Sequence, residues 1–313
     1  MPTFLERLEG GLFGLLIGDA LGVPYEFHAP EALPPLERLE MIPPEDFPRA
    51  HAGTPPGTWS DDGAQALILL ASLLDRRALD LDDFGARLVD WYQTGYLAVD
   101  QRVFDVGIQT SEAIRRMLSG TPASQAGSGD EKANGNGSLM RVLPLALWHR
   151  GPDTALVEDA HRQSSVTHGH PRAQVCCALY CLWARRILHG AGSPWPDAVA
   201  ALRGVYGHES QHYAELEWSV RPDDPPDGRG SGYVVDSLRS ARLALQAGDY
   251  EHVVKAAVAL GHDTDTTACI AGGIAGIRDG IGAIPDRWRS QLRAQELVAP
   301  LFNRLAQWHV LKD

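Results

Sequence analysis

The residues best able to do chemistry lie in Gly261-His-Asp-Thr-Asp-Thr-Thr267, where two carboxylates stand one residue apart among three threonine hydroxyls. The segment runs straight into the small, apolar stretch Ala268–Ile277, and a possible counterpart lies far upstream, where Trp59-Ser-Asp-Asp-Gly63 precedes the apolar run Ala64–Leu74. Asp, Ser and Thr are favoured helix N-caps, so a single Asp before an apolar helix is most simply a cap. A cap needs one acceptor, however, and each segment offers two carboxylates and a hydroxyl. Four carboxylates against buried helices are costly unless a cation neutralises them. The two segments therefore read as halves of one cation site. Oxygen-only donors select hard ions such as Mg²⁺, Mn²⁺ or Ca²⁺ rather than zinc. An EF-hand is excluded, because Ala268 and Ile274 fall where its glycine and bidentate glutamate belong. Ser60, Asp61, Asp62, Asp263, Asp265 and Thr266 could together hold two ions, an arrangement suited to metal-assisted hydrolysis.

Weaker signals surround this pair. Glu26 follows the Gly22-Val-Pro24 turn between Tyr25 and Phe27; such a residue is ordinarily solvated, but near a metal it could act as a general base. Asp105 alone is most simply a turn or cap. Asn134-Gly-Asn-Gly-Ser138 could offer backbone N–H groups to a phosphate, although it is neither a Walker loop nor a dinucleotide fingerprint. His168 and His170 form a His-x-His pair, with His168 the better candidate for touching a ligand.

The elements that must position these groups are helical. Periodicity predicts helices over 4–18, 63–75, 80–94, 110–118, 139–150, 153–164, 172–189 and 250–260, with two more between 285 and 309. Glycines at 10, 11, 14, 18 and 22 predict close helix packing. Residues 28–58 read as an irregular loop, 119–138 as a flexible surface loop, and 221–232 as a second Pro/Asp/Gly loop. No strand pattern and no repeat of 20–50 residues stands out. The fold class is all-α, as one domain over residues 1–313.

A net charge of −12 argues against a general nucleic-acid or anionic-membrane surface. The four cysteines, three of them on one apolar stretch, read as buried thiols of a reducing compartment. The acidic N-terminal stretch is unlike a signal peptide, and the apolar runs are too short to span a bilayer. The expectation is a soluble cytoplasmic protein acting as a monomer.

With these segments in order, the chain resembles the ADP-ribosylglycohydrolase family, above all its bacterial dinitrogen-reductase-activating branch. The likeness rests on Gly18–Phe27, Trp59–Asp62, Phe104–Gly107, Gly135–Arg141, Val166–His168, Gly232–Asp236 and His262–Thr266. The resemblance implies an orthogonal bundle of helices around a binuclear Mg²⁺ or Mn²⁺ centre. It implies Ser60, Asp61, Asp62, Asp263, Asp265 and Thr266 as metal ligands, and Glu26, Asp61 and Asp265 as the catalytic group. It places Asp105 near the substrate ribose and the Asn136-Gly137-Ser138 turn at the diphosphate, with Gly107 and Met140 also binding substrate. His168 and Tyr233 would line the ribose and adenosine region. The implied reaction is hydrolysis at C1″ of ADP-ribose on a modified side chain, with arginine favoured.

Three positions depart from the family pattern. Ser60 stands where threonine is usual, Gly63 where threonine is common, and His262 where glycine is common. The expected partner is an ADP-ribosylated protein or an ADP-ribose-containing small molecule, with no membrane and with nucleic acid only as a modified substrate. Alternatives are cleavage of serine-linked, nucleic-acid-linked or ester-linked ADP-ribose, a non-catalytic ADP-ribose binder, or a zinc-dependent His-x-His hydrolase rich in strands.

Overall fold

Glycine recurs at every fourth residue of the first helical segment, at 10, 14, 18 and 22, which puts all four on one face of a helix. Without side chains there, another backbone can come into direct contact. The structure, a computed structural model, describes residues 1–310, and it shows that contact. The first helix, α1, spans Phe4–Gly22. A Cβ on Gly10 would lie 2.2 Å from the Gly276 carbonyl, on Gly14 2.5 Å from that of Gly272, and on Gly18 2.1 Å from that of Ala268. A Cβ on Gly22 would lie 2.4 Å from Asp265 Cα. The residue order shows that the two helices run antiparallel, and the far end of the ladder is the Asp263–Thr266 segment.

The remaining helices are α2 (Asp61–Arg76), α3 (Leu81–Thr94), α4 (Ile108–Leu118), α5 (Leu143–Trp148), α6 (Asp153–Ser165) and α7 (Pro171–Leu188). They are followed by α8 (Pro194–Val205), α9 (Gln211–Ala214), α10 (Val234–Ala244) and α11 (Tyr250–Val258). The partner of α1 is α12 (Thr264–Asp279), and α13 (Asp286–Gln291) and α14 (Gln295–Val310) end the described part. Residues 311–313 of the expected domain lie outside it. No strand occurs among the described residues; the only β-type pairings are isolated ones, Ser128 with His168 and Gly135 with Tyr233. The all-α expectation holds. Among the described residues, no helix is long and apolar enough to cross a membrane.

One apolar core runs through the molecule. α12 is at its centre: every residue from Thr264 to Ile277 is buried, so it presents no solvent face. The four cysteines are buried and free, with Cys176, Cys177 and Cys181 on α7.

Three expectations need correction, and one region had none. α1 continues to Gly22 rather than stopping at 18, because Gly18 and Gly22 serve the contact with α12. The helix expected over 139–150 shrinks to α5, since Asn136–Val142 is taken up by turns in which the Asn136 carbonyl accepts from Leu139 and Met140. The 119–138 loop is not simply surface: Ala126, Ala133 and Asn134 are buried, and Arg116 donates to the Ala126 carbonyl at 2.8 Å. The helices between 194 and 220, ending in the wide turn Glu215–Val220, were not anticipated.

Candidate active site

The glycine ladder delivers the first turn of α12 to a fixed place. Thr264 Oγ1 donates to the Gly22 carbonyl at 2.8 Å, and Asp263 N–H donates to the Gly230 carbonyl at 2.9 Å. No side chain caps α12. Asp265, fully buried, accepts from the Thr266 N–H through Oδ1 (2.7 Å), while its Oδ2 has no hydrogen-bond partner.

The start of α2 is held differently. The buried Asp19 carboxylate accepts from the N–H groups of Ser60 (2.9 Å) and Gly63 (2.8 Å), and so caps α2 from across the site. Ser60 Oγ accepts from Asp62 N–H at 3.2 Å. Gln65 Nε2 donates to Asp61 Oδ2 at 2.7 Å, whereas Asp62 Oδ2 is buried without a partner. The departure at Gly63 now has a reason: a Cβ there would meet Asp19 Oδ2 at 2.9 Å and Trp59 Cβ at 2.8 Å.

Both helix starts border one cleft of about 950 Å³, lined among others by Asp61, Asp62, Asp263, Thr266, Glu26 and Asp105. Glu26 is its hinge point. Its carboxylate falls within 4.8 Å of ligand atoms of Asp263 and Asp265, and also of His51 and Asp105. Asp61 and Asp62 face the same cleft without entering either tight group. Glu26 Oε2 is 2.7 Å from His51 Nε2, and Asp105 Oδ1 is 3.8 Å from the same nitrogen. Asp105 has a left-handed backbone (φ 59°), a strained choice for a non-glycine residue that recurs at functional sites.

The electrostatics follow from crowding acids where water is scarce. Burial first, then the charges of Asp105, Asp263 and Asp61, push Glu26 up to about 11. Burial, followed by Asp263, raises Asp105 to about 7, and burial raises Asp19 to about 7. Asp61, Asp62 and Asp265 are also pushed well up, by burial and then by the charges of neighbouring acids, led by Asp105 for Asp61, Asp19 for Asp62 and Glu26 for Asp265. Burial, then the nearby Arg102 charge, holds His51 below its usual value. These shifts favour a neutral Glu26 whose O–H donates to a neutral His51 Nε2.

The other predicted residues divide. Gly107, Asn136, Gly137, Met140 and His168 line the cleft. Asn136 Nδ2 donates to Asp263 Oδ2 (2.8 Å) and to Ser237 Oγ (2.9 Å), tying the glycine-rich turn to the start of α12. His168 is buried beneath that turn, with Nδ1 2.8 Å from Thr167 Oγ1, and burial lowers it to about 3. Ser138 is a correction: its hydroxyl turns away from the cleft to Ser164 Oγ (2.9 Å) and Cys177 Sγ (3.4 Å). Tyr233, 40% exposed, is outside the lining; its backbone pairs with Gly135, and Arg172 lies against its side chain. His170 caps α7 through Nδ1, which accepts from Arg172 N–H (3.1 Å), so the His-x-His pair forms no shared site. His262 takes φ 60°, the conformation in which glycine is at ease, which explains glycine's frequency there.

Two contributors had no clear signal. His51 lies in a loop without periodicity, and its partner is 25 residues away. Asp19 was visible inside the Gly18–Phe27 motif, but only the fold shows that it caps α2.

The donor set fits a hard cation. Two buried carboxylate oxygens, Asp62 Oδ2 and Asp265 Oδ2, lack partners, and the acids around them are oxygen donors at raised pKa. Orphaned buried acceptors of this kind call for a cation or protons. Asp263, Asp265 and Glu26 form one compact all-oxygen group, with Asp61, Asp62 and Thr266 among the other residues lining the cleft.

Known proteins share this arrangement of chain and fold. An ADP-ribosylarginine hydrolase of Pseudomonas putida is 31% identical over 97% of this chain and 80% of its own. The ADP-ribosyl dinitrogen reductase glycohydrolase of Rhodospirillum rubrum is 29% identical over 93% and 92%. A solved structure of an ADP-ribosylglycohydrolase-related protein complex superposes with a TM-score of 0.76 at 32% identity, covering 98% of this chain and 99% of that one. The model of the ADP-ribosylglycohydrolase family matches residues 1–311. The chain belongs to the ADP-ribosylglycohydrolase family, whose members are hydrolytic enzymes.

Proposed function

We propose that this protein is a divalent-cation-dependent hydrolase that cleaves the C1″–N bond of ADP-ribosylated arginine on protein and releases ADP-ribose. The observation that carries the reading is the placement of Glu26, within 4.8 Å of Asp263 and Asp265 on one side and of His51 and Asp105 on the other. That placement puts one proton-exchanging group between the acids suited to a cation and the open cleft. The naming of relatives for ADP-ribosylarginine supports the linkage.

Asp61, Asp62, Asp263, Asp265 and Thr266 would hold Mg²⁺ or Mn²⁺, as one ion or two. When bound, the cation supplies positive charge to the ribose hydroxyls and Lewis-acid activation of water. The rest falls to the chain. α4 begins at the cleft with no side-chain cap, so its first N–H groups, with that of Gly137, suit the diphosphate; the Asn136 N–H is already given to the Gly232 carbonyl. Such fixed donors contribute orientation more than chemistry. Asp105 is placed to accept from a ribose hydroxyl. Glu26 gives its proton to the departing guanidine nitrogen as the C1″–N bond breaks and regains one from the water that adds at C1″. His51 holds the Glu26 carboxyl in position for this. The buried, free cysteines support a reducing, cytoplasmic setting.

The linkage is tested by offering Mn²⁺-loaded protein arginine-linked and serine-linked ADP-ribosyl peptides side by side. Faster release from the arginine peptide is expected. Preference for serine would sink the arginine assignment while leaving the site intact.

A further inference from the structure

Arg141 is fully buried, yet all its hydrogen-bond partners are neutral. Nη1 donates to Gln65 Oε1 (2.8 Å), Nε to Gln163 Oε1 (3.2 Å) and Nη2 to the Gln163 carbonyl (3.1 Å). The guanidinium lies over the Phe84 ring, 5.2 Å from its centroid. A cation buried among neutral groups costs several kcal/mol unless a nearby charge compensates it. Here the compensating charge lies one side chain away on one route, at Asp61 beyond Gln65, while the other route ends on a neutral backbone carbonyl.

Arginine has donors only, so it dictates the orientation of both amides it touches. With Gln65 Oε1 bound to Arg141, Gln65 Nε2 must point the other way, and it donates to Asp61 Oδ2 at 2.7 Å. With Gln163 Oε1 bound to Arg141, Gln163 Nε2 points to the carbonyl of Ser138 at 3.2 Å. Ser138 ends the Asn136–Gly137 turn that lines the cleft. All three polar side chains are completely buried, so water does not compete for these bonds.

We propose that Arg141 is a positioning residue for both walls of the cleft. Through Gln65 it holds Asp61 with one oxygen occupied and the carboxyl plane fixed, ready to ligate a cation. Through Gln163 it holds the turn placed to meet the diphosphate. The two arms are separable because they run through different glutamines. This inference rests on the cation site of the proposed function.

The test uses the full-length protein and titrates Mn²⁺ calorimetrically into wild type, Gln65→Leu and Gln163→Leu, then ADP-ribose into each at saturating Mn²⁺. Urea unfolding in EDTA reports the fold of each variant. Gln65→Leu is expected to weaken Mn²⁺ binding by about tenfold or more, in line with losing a partner that orients a metal ligand. Its ADP-ribose affinity at saturating Mn²⁺ should change by less than about threefold, within the context scatter of a single interaction. Gln163→Leu is expected to do the reverse. A merely structural role would lower the urea midpoints of both variants and leave both affinities as in wild type, which overturns the proposal. If Gln65→Leu does not fold, Gln65→Glu replaces it: an acid facing Asp61 loses the donor, so unaltered Mn²⁺ affinity there overturns the proposal equally. Wild type that binds no Mn²⁺ removes the cation site itself and this inference with it. Wild type that binds while Gln65→Leu binds as tightly removes the inference alone.

Discussion

The two helix starts that meet at the cleft carry the same residue types but are held in opposite ways. At α2, Asp19 accepts from two N–H groups, Ser60 accepts from a third, and Gln65 holds Asp61. At α12 no side chain caps the helix, and Asp265 keeps one buried oxygen without a partner. Position there comes from backbone contact with α1 instead. Local hydrogen bonds do most of the holding at α2 and helix packing most of it at α12, and each wall keeps one buried carboxylate oxygen, Asp62 Oδ2 and Asp265 Oδ2, open to a ligand.

The sharpest way to separate the walls is to remove one oxygen from each. Asp265→Asn should lower kcat for ADP-ribose release by about 10³-fold, a typical loss for a group acting on reacting atoms. Steady-state kinetics at saturating Mn²⁺ checks this, and a loss under tenfold would mean that Asp265 serves packing alone. Next in size is the ladder. Gly18→Ala puts a Cβ 2.1 Å from the Ala268 carbonyl, where backbone must move. Overpacking of this kind costs about 3 kcal/mol, read as a drop in unfolding free energy in urea, and Mn²⁺ affinity should fall with it.

The acid cluster predicts a pH effect. Asp19 titrates near 7 in the folded chain against an ordinary value of 3.8, so the folded state holds the extra proton between those values. The stability this gives is complete below about pH 4 and lost as pH rises through 7; Asp105, also near 7, acts in the same direction. In EDTA the Tm should therefore fall between pH 5 and 8, by about 5 °C for a chain of this size. Mn²⁺ should suppress the fall and Asp19→Asn should make its slope shallower. Buried histidines such as His168 act in the opposite direction below about 6.5, so the comparison with Asp19→Asn isolates the site, and identical slopes in the two proteins would contradict its electrostatics. Smallest is Ser60→Ala, which removes a cap worth about 1 kcal/mol and leaves most of the activity, because its hydroxyl already serves Asp62 N–H. An effect on Mn²⁺ affinity as large as that of Asp265→Asn would instead make Ser60 a ligand.

What could be read from the chain was whatever repeats locally. The glycines at 10, 14, 18 and 22 mark a helix face, and paired carboxylates before Ala64–Leu74 and Ala268–Ile277 mark the two helix starts. α8 escaped notice because Pro194 and Pro196 look like loop residues. Both sit in its first turn, where backbone N–H groups have no helical partner to lose. His51 and Asp19 act across the fold, through contacts 25 and 41 residues apart, and no local pattern announces such contacts. Arg141 could be placed in a motif, but its burial between two glutamines belongs to the tertiary structure.

The most direct measurement is release of ADP-ribose from an arginine-ADP-ribosylated protein, with Mn²⁺, with EDTA, and with Asp265→Asn in Mn²⁺. Release that requires the ion and is lost in the variant is the predicted result. Release that continues undiminished in EDTA, or in Asp265→Asn, would contradict a cation-dependent site built from the two helix starts.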